Sequence, residues 1–165
     1  MRPLFSEGLN PVRVCPHSVA DLLPHAPPMV LLEEVVGWDQ GKVITALTIH
    51  VESLFFVKDE GVPTYVGIEY MAQTCGAYAG IEAHNHGQRP RLGFLLGTRD
   101  YHAAQDWFRP GDRLVIEATE IYRQEGMGVF DCRISHNNEE IVSAQLNLYQ
   151  PEENDPDTSV ELKEG

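Results

Sequence analysis

Apolar and small residues run almost unbroken through residues 62–84, VPTYVGIEYMAQTCGAYAGIEAH, with one acidic side chain, Glu69, near the start. After a Pro-led turn, this pattern predicts a helix over about 65–84. A helix that is apolar over most of its surface belongs at the centre of a domain rather than on its rim. Gly67, Ala72, Gly76, Ala77, Ala79, Gly80 and Ala83 punctuate it, and small side chains let a neighbouring backbone come close. Asn85, Gly87 and Pro90 mark the exit, with Gly87 suited to the position that ends a helix.

The rest of the chain reads as strands and turns. Residues 1–17 carry Pro3, Pro11 and Pro16 with little periodicity and form an extended lead-in. Ser18 with Asp21 three residues on resembles a capping box, so 18–23 is expected to make one short helical turn that Pro24 stops. Residues 29–36 are strand or extended, Asp39-Gln40-Gly41 is a turn, and 42–51 is a second strand rich in Val, Ile and Thr. Residues 54–61 are a loop holding Phe55-Phe56 and then Lys58-Asp59-Glu60-Gly61. Beyond the helix, strands are expected at 91–101, 113–122, 127–135 and 141–149, with turns between them. One long buried helix with an antiparallel meander of four strands defines an α+β domain in which a curved sheet wraps the helix. Its free edge invites pairing with a second copy or a homologue.

Composition narrows the picture. The 165 residues suit one domain over 18–150, followed by a disordered acidic tail over 151–165, where Glu152, Glu153, Asp155, Asp157, Glu161 and Glu164 face a single Lys163. A net charge of −13 argues against a nucleic-acid partner, because phosphate binding needs clustered cations. An acidic carrier protein would need a local basic patch, and Arg89, Arg91, Arg99 and Arg109 come nearest to one. Cys15, Cys75 and Cys132 are odd in number and far apart, so neither a disulfide framework nor a metal site is expected. Cys75 reads as a small buried hydrophobe. No apolar leader and no run of membrane-spanning length is evident, which makes the cytoplasm the expected location. No cofactor is indicated.

Three motifs in order resemble the 3-hydroxyacyl-[acyl carrier protein] dehydratases of the hotdog fold. They are LLPHAPPMVLLEEVV at 22–36, PTYVGIEYMAQ at 63–73 and GFLLGTRDYHAAQDWFRPGDRLVIEA at 93–118. Together they cover about residues 20–150. VGIEYMAQ is similar in particular to the dehydratase-like proteins of aryl polyene biosynthesis. The resemblance implies a long central helix wrapped by a curved antiparallel sheet, a homodimer or a heterodimer with a second hotdog subunit, and an acyl thioester of acyl carrier protein or CoA as substrate. It also implies a site built across the dimer. A histidine of one subunit removes the α-proton, and an acid on the other subunit's helix protonates the leaving hydroxyl. Backbone N–H groups at the helix start, here Thr64, Tyr65, Val66 and Gly67, polarise the thioester carbonyl.

Glu69 is the residue that matches the catalytic acid. A glutamate in a first helical turn also has a plain role as a helix charge, contributing about 0.3–1 kcal/mol. Gln73, one turn on along the same face, is expected to hydrogen-bond in support. The family's His-Phe-Pro-Gly loop is replaced by the shorter VKDEGVP, with Asp59 where the histidine would fall and Pro63-Thr64 in place of Pro-Gly. An exposed aspartate is a poor substitute for that base. His50 is the internal candidate for a displaced base, whereas His25 belongs to a stretch that the resemblance makes structural. His84 and His86, at the helix exit, are expected to be inert, and Tyr70, Met71 and Tyr78 to face the core or a dimer partner. The expected function is therefore a dehydratase-like protein of fatty acid or polyene biosynthesis that contributes the acidic half of a composite site. The alternatives are a non-catalytic acyl-binding or scaffolding subunit, or a hotdog acyl thioesterase.

Overall fold

Helix α2, Gly67–Asn85, runs through the middle of the molecule in a computed structural model that describes residues 13–151. Most of the expected lead-in and nearly all of the acidic tail lie outside the described residues. A short 3-10 turn, Thr64–Val66, leads into α2. Tyr70, Met71, Cys75, Ala77, Tyr78 and Ile81 are buried around its circumference, as an all-round apolar pattern demands. At its end Gly87 takes φ +67, and Gln88 N–H reaches back to Ala83 O at 2.8 Å, the backward bond of a glycine-terminated helix. Helix α1, Val19–Leu22, is capped as expected, with Ser18 accepting from Asp21 N–H.

Strand β1 is Glu34–Asp39 and β2 is Lys42–Thr48; a two-residue strand, β3, Val62–Pro63, precedes α2. After α2 come β4, Phe94–Ala103, the short β5, Trp107–Phe108, then β6, Arg113–Gln124, β7, Met127–His136, and β8, Glu139–Tyr149. The large sheet has the order β1-β2-β6-β7-β8-β4, all antiparallel, and β3 pairs separately with β5. This corrects the four-strand meander. Of the four long strands after α2, only β6, β7 and β8 are neighbours in chain order, while β4 crosses to the far side and pairs with β8. The expected first strand also begins later than residue 29. The Met29 and Leu31 backbones are held by the Gln73 side chain and do not join the ladder.

The concave face of the sheet supplies Val43, Ile116, Phe130, Ile134 and Leu146 to the core around α2. Polar groups there are paired. Thr74 Oγ1 lies 2.8 Å from Thr45 Oγ1 and donates to Tyr70 O at 2.7 Å. Tyr78 Oη accepts from Gly41 N–H at 2.8 Å, which fastens the β1–β2 turn to the helix. Burial pushes the Tyr70 and Tyr78 phenols up to about 12, so both stay protonated hydrogen-bonding groups. Cys75 and Cys132 are buried thiols whose sulfurs lie 3.7 Å apart, and burial raises Cys75 well above its ordinary value.

Two surfaces remain open. On α2, Glu69, Ala72, Gly76 and Ala79 form a stripe that the sheet does not fully cover, at the three- and four-residue spacing of one helix face. On β4, Phe94, Leu95 and Leu96 are exposed, and the strand's outer edge has no partner among the described residues. No helix among those residues is long and apolar enough to cross a membrane.

Candidate active site

The open stripe of α2 forms one wall of a cavity of about 310 Å³. Glu69, Gln73, Pro24 and His25 stand at one end, Ala72, Gly76 and Ala79 follow along the helix, and Leu95, Gly128, Phe130 and Leu148 line the facing side. Arg123 and Gly126 belong to the other end, where Arg123 bridges Glu82 on the last turns of α2 at 2.7 Å. From Glu69 to Ala79 the helix rises about 15 Å. The space is thus a largely apolar corridor with a carboxyl group at its head, of a size suited to an acyl chain.

Glu69 is held without being buried. Gln73 Nε2 donates to Glu69 Oε1 at 3.1 Å and to Met29 O at 2.7 Å, while its Oε1 accepts Leu31 N–H at 2.9 Å. Gln73 is only 1% exposed, so each of these bonds replaces one to water that burial removed. It ties the segment around Met29 to the helix and fixes the carboxyl orientation. His25 Nε2 lies 4.0 Å from the same Glu69 oxygen. The resemblance treated His25 as structural, and only the folded chain places it beside the acid. The sequence signal that could have found it is the histidine's presence in the opening motif, with nothing to say what it faces.

The other expected residues fall elsewhere. His50 faces Glu33 at 3.4 Å on the surface and does not line the cavity. Asp59 is exposed at φ +68, also away from it. Thr64 N–H is engaged by Asp106 O at 3.0 Å and its hydroxyl by Gln105 O at 2.9 Å. Gly67 N–H closes the 3-10 turn onto Thr64 O, and Tyr65 projects outward, 67% exposed. None of residues 64–67 lines the corridor headed by Glu69 within the same chain. His84 Nε2 donates to Asp21 O at 3.0 Å and stacks on His17, with ring centroids 4.1 Å apart, and His86 Nδ1 donates to Glu82 O. Of the arginines proposed for a carrier patch, Arg109 is paired with Glu60 and Arg91 lines the corridor. Among the described residues, no group of three or more His, Cys, Asp or Glu is placed to hold a metal ion.

A long central helix wrapped by a curved antiparallel sheet defines a hotdog-fold protein. The chain belongs to the ApeP-like family, described as ApeP dehydratase, whose pattern matches residues 17–161. It is 28% identical over 142 residues to the 3-hydroxyacyl-[acyl-carrier-protein] dehydratase FabZ of Psychrobacter arcticus, covering 83% of this chain and 97% of that one. The corresponding enzyme of Teredinibacter turnerae is 29% identical over 135 residues, with 78% and 91% covered. In three dimensions the chain is similar to the dehydratase heterocomplex ApeI:P from Xenorhabdus doucetiae, with a TM-score of 0.77, 30% identity, and 83% and 93% of the two chains covered. A Streptococcus pneumoniae thioesterase-like structure with coenzyme A has a TM-score of 0.57 at 13% identity, covering 71% and 84%, and shares the fold.

Proposed function

We propose that this chain supplies the acidic half of a composite dehydratase site, acting on a 3-hydroxyacyl thioester of acyl carrier protein in fatty acid or polyene biosynthesis. A second hotdog subunit supplies the base. The observation that carries this reading is Glu69, held by Gln73 at the head of an apolar corridor, beside a loop at 51–64 that contains no histidine. Similarity to a dehydratase heterocomplex supports a partner of different sequence. β4, whose exposed Phe94, Leu95 and Leu96 adjoin an open strand edge, supports the presence of a second chain. Edges of this kind pair with another chain when they are not blunted.

The chemistry asks for two groups on one substrate. A base on the partner takes the α-proton, the C–H electrons form the double bond, and the C3–O bond breaks as Glu69 gives its proton to the departing oxygen, releasing water. Placing acid and base on separate subunits means that neither alone completes the elimination. The isolated chain is therefore expected to be inactive on a 3-hydroxyacyl carrier protein, and mixing it with a co-encoded hotdog partner should restore turnover. Full activity of the chain by itself would sink the proposal.

The corridor also sets chain length. Ala79 lies about 15 Å along the helix from Glu69, so Ala79→Leu should shorten the space without touching the acid. We expect kcat/KM to fall at least about tenfold for long acyl chains, since each excluded methylene carries about 0.8 kcal/mol, and to hold for short ones. A uniform loss across an acyl-length series would show that the chain lies elsewhere.

A further inference from the structure

The loop that follows α1 brings His25 to the mouth of the corridor along a path set by two close helix contacts. Leu22 packs its backbone against Gly80 of α2, and Leu23 lies over Gly76. Pro24 and His25 then reach the cavity beside Glu69. The two nitrogens of the His25 ring have different surroundings. Nδ1 is buried with no hydrogen-bond partner among the described residues, whereas Nε2 faces Glu69 Oε1 at 4.0 Å. A buried N–H without an acceptor is among the rarest vacancies in folded proteins. The hydrogen of the ring is therefore assigned to Nε2, on the side that faces the cavity.

That separation is too long for a hydrogen bond between the two side chains. It is the right span for one oxygen between them. Two hydrogen bonds of about 2.8 Å from a single atom bridge a 4.0 Å gap at roughly a right angle. Such an atom needs to accept from Nε2–H and to accept a proton from the carboxyl group. The hydroxyl oxygen of a 3-hydroxyacyl thioester does both.

We infer that His25 is a second catalytic group of this site, donating its Nε2–H to the departing 3-hydroxyl oxygen while Glu69 protonates it. This rests on the composite-site reading above and adds a residue to it. His25 keeps its proton throughout. As the C3–O bond breaks, its electron pair collects on oxygen, the Glu69 proton forms the second O–H bond of water, and the imidazole N–H holds the oxygen in place while charge develops. Gln73, bonded to the same carboxyl oxygen, turns the acid toward that point. His25 is thus an oxygen-holding donor and not the missing base, because the nitrogen it presents to the cavity already carries its hydrogen.

The test uses the complex of this chain with its hotdog partner. His25→Leu removes the donor, and kcat should fall about 100-fold or more with KM for the thioester changed less than about threefold. His25→Gln carries an amide N–H at nearly the position of Nε2 and should recover activity to within about tenfold of the wild type. Nitrogen-15 NMR of the full chain should show the His25 ring as the Nε2–H tautomer. Equal losses in the Leu and Gln variants, or an Nδ1–H tautomer, would overturn the assignment. So would wild-type kcat in His25→Leu. In that case an inactive Glu69→Gln complex would leave the composite site standing and remove only His25 from it, whereas an active Glu69→Gln complex would remove both.

Discussion

Glu69→Gln, assayed in the complex with a hotdog partner, is expected to lower kcat by about 10²–10⁴-fold while leaving the fold intact. Gln has the size of Glu and keeps a carbonyl oxygen where Gln73 Nε2 now donates at 3.1 Å. The Gln73 bonds to Met29 and Leu31 do not involve residue 69 at all. What the amide lacks is a proton to give to the leaving hydroxyl, so the loss should fall on kcat rather than on binding. The thermal midpoint should move little, because a charge in a first helical turn contributes only about 0.3–1 kcal/mol. Unchanged turnover would place the acid elsewhere and favour a scaffolding role for this chain.

The second large effect is on stability. In an ordinary helix, Gly→Ala is favourable by about 1 kcal/mol, and Gly80 sits in the interior of α2. Here the sign reverses. A Cβ at Gly80 would lie 2.2 Å from Leu22 O and 2.9 Å from Leu22 C, atoms of the α1 backbone that have no rotamer to change. Helix α1 would have to retreat from α2, at a packing cost of about 1–3 kcal/mol or more. Gly80→Ala should therefore destabilise the protein by about 1–2 kcal/mol net. That corresponds to a fall of several degrees in Tm, which can be read by calorimetry. Since Leu22 leads directly to Pro24 and His25, activity should fall as well. A raised Tm would mean that α1 yields freely and that propensity decides.

Both expectations depend on features that differ in how they can be read from the chain. The small residues of α2 already imply that something packs close to it, and Gly87 already implies where it stops. The strand periods give β2, β6, β7 and β8 to within a few residues. β3 and β5 escape notice because a two-residue strand has no period to detect. β4 is visible as a strand but not as the neighbour of β8, since an apolar run carries no information about its partner across the sheet.

The candidate site divides along the same line. Glu69, Gln73 and the lack of a histidine in the loop before α2 are local facts. They are visible because helix spacing places 69 and 73 on one face and because a missing residue type is read directly. His50 and Asp59 were reasonable by position in the chain, yet their side chains point into solvent or to a surface glutamate. His25 is the reverse case. It is distant in sequence from Glu69, in a motif that does not say what it faces, and it is brought to 4.0 Å only because Leu22 and Gly80 allow α1 to lie against α2. The sequence by itself determined a central helix, the glutamate near its start and the family. Which strands are neighbours, which edge stays open and which histidine meets the acid were decided by tertiary packing, because these depend on close approaches between segments that share no local pattern.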